Sequence, residues 1–107
     1  MSAGIFRVML RMQTLPRREA EFEQAWLDGA KLIAAEPANL GQWLCRSSGE
    51  DDVYYIVSDW TDEDAFRAYE TSQRHVEHRS RLHPFRASGS MALMSVICEL
   101  TGSGMRA

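Results

Sequence analysis

The sequence has few cysteines and no long hydrophobic run, and both features limit the classes of protein to which it can belong. Only Cys45 and Cys98 occur in 107 residues, so neither a disulfide framework nor a cysteine-rich metal site is expected. Because free cysteines tend to be buried, both are predicted to be small core side chains. The longest apolar stretches, such as Val53 to Val57 and Met91 to Met94, are far shorter than the roughly 20 residues of a membrane-spanning helix. No membrane span is predicted.

An excess of basic residues is also missing. The 12 Lys and Arg residues are outnumbered by 15 Asp and Glu residues, for a net charge of −3, so no general nucleic-acid-binding surface is predicted. The segment from Met1 to Arg11 carries arginines inside its apolar stretch, and no uninterrupted apolar block precedes a small-residue cleavage site. A secretory signal is therefore not predicted, and a cytoplasmic location is expected.

Motifs for bound cofactors are absent as well. No predicted strand is followed by a glycine-rich loop of the kind that cradles phosphates, and the Gly102 to Gly104 segment lies in the tail. His75 and His78 share a helix face, but Glu77, the nearby carboxylate, points elsewhere on the helix. Activity is therefore expected without an added metal, flavin or nicotinamide.

What the sequence does contain is an ordered series of strand and helix patterns. Apolar and polar residues alternate from Ile5 to Thr14, which predicts a half-buried strand. Apolar residues then recur every three to four positions up to Ile33, which predicts an amphipathic helix with Pro16 in its first turn. Two further strands are predicted, from Asn39 to Ser47 and from Val53 to Trp60.

A second helix and a last strand follow. The sequence TDED, with Thr61 as the N-cap, has the form of a capping box. The helix is predicted to break near Thr71 to Gln73 and to resume as far as Leu82. The final strand is predicted from Gly89 to Leu100, and residues 101–107 are predicted to form a flexible tail.

This order, β-α-β-β-α-β, predicts one α+β domain over residues 1–107 with a core of about 5–100. The expected fold is ferredoxin-like, with two helices on one face of a four-stranded antiparallel sheet. Two helices cannot cover both faces, and an exposed apolar face on so small a domain marks an interface. The prediction is a homodimer in which two sheets form a dimeric α/β barrel.

Several stretches resemble the antibiotic-biosynthesis-monooxygenase family. In that family an acidic residue and a tryptophan close the third strand, and a capped helix with a Ser/His-containing break follows. The stretches that carry the resemblance are Glu36 to Gly41, Val53 to Trp60 with its final Asp59-Trp60, Thr61 to Phe66, and the break that holds Ser72 and His75. The resemblance covers residues 5 to 100.

The branch that the chain resembles most accompanies bacterial aromatic polyketide synthases and includes cofactor-free oxygenases that turn anthrone-like or phenolic rings into quinones. The resemblance therefore implies a monooxygenase that uses O₂ on a small aromatic polyketide. A deprotonated polycyclic phenol can pass an electron to O₂ unaided, so the protein need only bind, orient and stabilise the anion. The resemblance also implies an apolar pocket between the helices and the sheet.

Candidate site residues follow from this resemblance and from strand parity. Trp60, Tyr69 and His75 are the candidate catalytic residues, with His75 as general base because an unperturbed imidazole titrates near pH 6.5. Alternation along the third strand places its even-numbered residues on the Trp60 side. Trp43 can face the pocket or the dimer partner, and Arg79 can guide an acidic or enolate substrate. The candidate substrate-binding residues are Tyr54, Ile56, Ser58, Phe66, Trp43 and Arg79.

Two positions depart from the anthrone-oxygenase pattern. That pattern carries Asn four residues before the tryptophan and Tyr six residues after it, where this chain has Ile56 and Phe66. Tyr69 lies one helical turn beyond Phe66 and can supply a hydroxyl on the same face. The haem-degrading branch matches less well, since it uses Asn on the first strand and His at the position of Glu70.

Two other functions stay open at this point. Ferredoxin-like dimers also serve as polyketide ring cyclases, which need a pocket and an acid/base pair such as His75 with Tyr69 or Asp59. A binding protein that carries a reactive intermediate needs only the pocket.

Overall fold

The computed structural model describes residues 4–105 as one sheet with its helices. In chain order the elements are β1 (Phe6–Thr14), α1 (Glu19–Ile33), β2 (Asn39–Arg46), β3 (Val53–Trp60), α2 (Glu63–Glu70), α3 (Gln73–Leu82), a 3₁₀ turn (His83–Phe85) and β4 (Arg86–Ser95). This confirms the β-α-β-β-α-β order. It also confirms the break in the second helical region, which divides it into α2 and α3.

The sheet has the strand order β2-β3-β1-β4, and all of its neighbours are antiparallel. In the register of β1 and β3, Phe6 lies opposite Trp60 and Val8 opposite Ser58. Even-numbered residues of these two strands therefore share one face. The predicted ferredoxin-like α+β fold is confirmed.

The helices cover this even-numbered face and form two core clusters with it. The Trp60 cluster consists of Phe6, Val8, Ile33, Trp60, Phe66 and Tyr69. The Tyr54 cluster consists of Met12, Phe22, Trp26, Ala30, Tyr54 and Leu82. Residues of α1 belong to both clusters, so this helix lies along the whole length of the covered face.

The opposite face of the sheet, called the helix-free face below, has a mixed character. Met9, Val57 and Trp43 lie side by side on it, and Trp43 is 48% exposed. At one end Arg7 donates to both carboxylate oxygens of Asp59, at 2.7 and 2.8 Å. No helix within residues 4–105 packs over these side chains, so the predicted dimer face is available; the dimer itself stays a prediction.

Two predicted helix starts were wrong by a short distance. Arg17 has a φ of 65°, so Pro16 and Arg17 form a turn, and α1 begins only at Glu19. The N-cap of α2 is Asp62, whose side chain accepts a hydrogen bond from the Ala65 N–H at 2.8 Å. The Thr61 N–H donates instead to the backbone of the loop before β2, so this residue closes the strand rather than the helix.

The predicted last strand and the cysteine environments also need correction. The strand spans Arg86–Ser95, so it begins before Gly89 and ends well before Leu100. Cys98 therefore lies beyond the sheet. Cys45 lies on the edge strand β2, and both thiols are exposed and free rather than buried. Among the described residues no helix is long and apolar enough to cross a membrane.

Candidate active site

A cavity of about 240 Å³ lies between the two core clusters. Its floor is formed by β1 and β3, and its walls come from α1, α2 and α3. Apolar and aromatic side chains from both clusters dominate the lining, with a few polar groups among them. This is the usual composition of a site for a small organic ligand.

One wall of the cavity is aromatic and rigid. Trp60 and Tyr69 stack with ring centroids 4.7 Å apart and planes inclined by 26°, and Phe66 meets the edge of Trp60 at 5.6 Å. The indole N–H of Trp60 donates to Ser58 Oγ at 3.0 Å, which fixes the ring. Because α2 begins just after β3 ends, these rings are held together by adjacent elements. The wall suits a planar ring system.

His75 lies beside this wall. Its ring meets Tyr69 edge-on, with centroids 5.1 Å apart. The break between α2 and α3 places His75 in the first turn of α3, where its backbone N–H donates to Ser72 Oγ at 3.3 Å. Burial lowers the pKa of His75, and the positive charge of Arg79 lowers it further. A hydrogen bond with the backbone of Glu70 acts in the opposite direction. At pH 7 this imidazole is therefore uncharged and able to accept a proton.

His78, one turn further along α3, also lines the cavity. A β-carbon on Gly29 of α1 would lie only 1.8 Å from its Nδ1, so the missing side chain of Gly29 makes room for this ring. Burial lowers the pKa of His78 to about 4, with further contributions from His75 and Arg81. His75 and His78 are thus neutral at physiological pH. Within residues 4–105, no group of three or more His, Cys, Asp or Glu side chains is placed to hold a metal ion.

The structure brings most of the predicted site residues together. These are the three candidate catalytic residues and four of the candidate binding residues, which line one cavity: Trp60, Tyr69, His75, Ile56, Ser58, Phe66 and Arg79. Their roles stay predictions, but their proximity is established.

Tyr54 and Trp43 do not line the cavity. Tyr54 is on the Trp60 side of the sheet, as parity predicts, but its ring packs on Phe22 of α1 at 4.7 Å and its hydroxyl donates to Glu23 at 2.5 Å. Burial, reinforced by this bond, raises the pKa of Tyr54 to about 12. Trp43 lies on the helix-free face. So does Asp59, which is paired with Arg7 and is therefore unavailable as an acid/base partner for His75.

Other cavity residues were not predicted from the sequence, and they include Trp26, Gln42 and Met91. Arg86, one of four arginines between residues 74 and 86, lines the cavity together with Arg79. Trp26 belongs to the apolar stripe of α1, and helical periodicity cannot separate a core position from a cavity wall. Arg86 follows α3 and folds over Gly89, where a β-carbon would lie 3.1 Å from its Nε. In the sequence, the basic residues that precede Arg86 were the feature that could have indicated its place at the cavity.

Known proteins resemble this chain both in sequence and in fold. The family model for the antibiotic biosynthesis monooxygenases matches residues 5–81. Protein SchA of Streptomyces halstedii is 29% identical over 105 residues, which cover 94% of this chain. A mycobilin-producing heme oxygenase of Mycobacterium tuberculosis is 25% identical over 88 residues, which cover 81% of this chain and 84% of that protein.

Among solved structures, SnoaB, a cofactor-independent oxygenase from Streptomyces nogalater, superposes with a TM-score of 0.81. The two are 24% identical, and the match covers 94% of this chain and 100% of SnoaB. That likeness establishes the shared fold. The chain spans only 28% of the length of SchA, so most of that protein has no counterpart here.

Proposed function

Since this chain belongs to the antibiotic biosynthesis monooxygenase family, whose model covers residues 5–81, we propose that it is a cofactor-independent monooxygenase that converts an aromatic polyketide intermediate into a quinone. The observation that carries the proposal is the aromatic wall of Trp60 and Tyr69 with an uncharged His75 at its edge. The oxygenase function of SnoaB supports the reaction class, and the shared fold supports its transfer.

The chemistry requires a bound ring and a base. A planar substrate stacks on the wall, where each offset aromatic contact adds roughly 0.5 to 1.5 kcal/mol beyond burial. His75 removes the proton from the activated carbon or phenol, and the carbanion passes an electron to O₂. Recombination of the resulting radical pair gives a peroxide anion, which takes back the proton held by His75. The hydroperoxide then loses water to leave a carbonyl. For an anthrone, one O₂ thus converts the ring CH₂ to C=O and releases one water.

Positive charge at the cavity supports the anionic intermediate. Arg79 and Arg86 both line it, and no ion pair to either is formed among the side chains of residues 4–105. Glu70 is the only carboxylate among the lining residues of this part of the chain. The balance of charge favours an enolate or phenolate over the neutral form.

Haem is not the ligand that we propose, because the chain has Glu70 where the haem-degrading branch has its histidine. In the proposed reaction O₂ is the co-substrate, and no metal, flavin or nicotinamide takes part.

The test is oxygen uptake with an anthrone as substrate. We expect O₂ consumption with quinone formation that survives treatment with a chelator. Product formation under strict anoxia would instead identify a ring cyclase, with Tyr69 and His75 as its acid/base pair. Saturable binding without turnover would identify a carrier, and loss of activity on chelation that a divalent ion restores would identify a metal site at His75 and His78.

Tyr69→Phe separates a role in turnover from a role in packing. The change keeps the stacked ring, so folding should be preserved, whereas loss of the hydroxyl should lower turnover by roughly tenfold. Tyr55→Phe is the matched control, because Tyr55 lies on the helix-free face. Equal turnover in both variants would remove the Tyr69 hydroxyl from the mechanism.

A further inference from the structure

Among the described residues that line the cavity, Gln42 is the one carboxamide. It lies on β2 directly opposite Ser58 of β3, so its side chain is on the face that the helices cover. Its Nε2 donates to the backbone oxygen of Ala30, in α1, at 3.0 Å. The side chain therefore reaches from the sheet to α1, which are two of the layers that enclose the cavity.

The bond to α1 fixes which end of the carboxamide stays free. A backbone carbonyl only accepts hydrogen bonds, so the atom beside the Ala30 oxygen is Nε2, and Oε1 is the other end. Within residues 4–105, Oε1 has no hydrogen-bond partner. It also differs from the unpaired side-chain atoms that are fully buried, which are Trp26 Nε1, His75 Nδ1 and His78 Nδ1. Gln42 Oε1 is thus an unpaired acceptor that keeps accessible surface, on a side chain that lines the cavity.

The fold does not need an amide at this position. The Ala30 oxygen already accepts from the Ala34 N–H at 2.9 Å, so an apolar side chain in place of Gln42 would leave no backbone group of α1 unpaired. Leu44, two residues further along the same face of β2, packs against the Tyr54 cluster with a side chain that has no polar atom. The polarity of Gln42 is therefore available to a ligand.

The chemistry of Oε1 selects one kind of ligand group. An amide oxygen accepts and does not donate, so its partner is a hydroxyl that keeps its proton, and a carbonyl, a phenolate or a methyl ether does not qualify. Ser58, the cross-strand neighbour of Gln42, holds the Trp60 indole through its Oγ at 3.0 Å. The free acceptor therefore lies close to the aromatic wall on which a ring would stack.

We propose that Gln42 Oε1 accepts a hydrogen bond from a phenolic hydroxyl of the aromatic ligand and makes the cavity selective for rings with a free hydroxyl over their methyl ethers. The ligand class rests on the proposed function; the binding role rests on the accessible, unpaired acceptor. Stacking on Trp60 and a hydrogen bond to Gln42 together orient the ring. The hydroxyl at Gln42 keeps its proton, so the proton that His75 removes comes from another position of the ring.

The experiment compares two ring probes that differ in whether the oxygen carries a proton. Binding of 2-naphthol and of 2-methoxynaphthalene is measured by calorimetry under anoxia at pH 7, for the parent and for Gln42→Met. We expect the variant to bind 2-naphthol about tenfold more weakly than the parent does, and to bind the methyl ether within about twofold of the parent. Gln13→Met is the matched control, because Gln13 is an exposed strand residue that does not line the cavity. It should bind both probes like the parent.

Three results of this comparison would overturn the proposal. Equal weakening of both probes by Gln42→Met would show that the side chain acts by shape alone. Unchanged binding of 2-naphthol in that variant would show that Oε1 makes no bond to the hydroxyl. Failure of the parent to bind 2-naphthol saturably would show that the cavity does not take such a ring.

A second measurement does not depend on a folded variant. In the parent protein labelled with ¹³C, 2-naphthol should move the Gln42 side-chain carbonyl signal downfield, because a hydrogen bond draws electron density from the carbonyl carbon, and the methyl ether should not. The same shift with both probes, or no shift with 2-naphthol, would overturn the proposal. Since binding is measured without O₂, failure of the protein to consume O₂ with an anthrone would refute the oxygenase and leave this result standing.

Discussion

Burial lowers the pKa of His75 and of His78, and at His75 this sets the pH range of the proposed reaction. A general base must be unprotonated, so kcat/KM should rise with pH through the lowered pKa of His75 and level off at a lower pH than it would with an unperturbed imidazole. His75→Ala should remove this rise and lower the rate by roughly 10² to 10⁴-fold. A pH–rate profile with an anthrone checks both points. An inflection that survives in His75→Ala would belong to another group.

At His78 the same burial affects stability rather than rate. The folded protein holds a pKa of about 4 against an ordinary value of 6.5, so the unfolded chain binds more protons between these values. Stability should therefore fall as the pH drops from about 6.5 to about 4, by at most on the order of 3 kcal/mol.

Urea unfolding at pH 7 and pH 5 measures this dependence. It should weaken in His78→Gln, where the contribution of His75 remains, and persist in full in His83→Gln, because His83 is exposed at the end of α3. A pH dependence of equal size in both variants would assign the effect to other groups.

At the scale of elements, helix caps place the catalytic candidates. Asp62 caps α2 and Ser72 caps α3, and the second cap sets His75 in the first turn beside Tyr69. Asp62→Ala should lower the free energy of unfolding by about 1 kcal/mol, because the Ala65 N–H loses its acceptor. Thr61→Ala should change it by less than about 0.5 kcal/mol. Urea unfolding of the two variants tests the assignment, and the reverse order would restore Thr61 as the cap.

At the scale of the whole molecule, the helix-free face predicts a homodimer. Met9, Val57 and Trp43 form an apolar strip across it, and Trp43 is half exposed in the single chain. Light scattering should give about twice the chain mass of 12.2 kDa. A monomer at micromolar concentration would contradict the dimeric barrel.

The face itself is tested by placing a charge at its centre. Val57→Glu should dissociate the dimer, since a buried unpaired carboxylate is costly. Leu27→Glu is the control, because Leu27 is exposed on α1, away from the sheet, and this variant should remain dimeric.

The sequence by itself determined the order of the elements and the face on which each β3 residue lies. Alternation in a strand has a period of two residues and depends only on the backbone, so Ile56, Ser58 and Trp60 could be placed on one side. Element ends were less certain because Thr61 and Asp62 are both good N-caps. Which of them caps α2 depends on the bond that ties Thr61 to the loop before β2.

Only the tertiary structure decided which inward-facing residues meet a neighbour and which meet the cavity. Tyr54 and Trp60 share a face, yet α1 brings Phe22 onto Tyr54 and leaves space beside Trp60. In the sequence, Trp26 is one more apolar residue of the α1 pattern. Its place at the cavity follows only from the packing of α1 on α3, where Gly29 lies against His78. Periodicity is a property of one element, whereas a cavity is a property of the gap between elements, and that gap depends on packing across the whole fold.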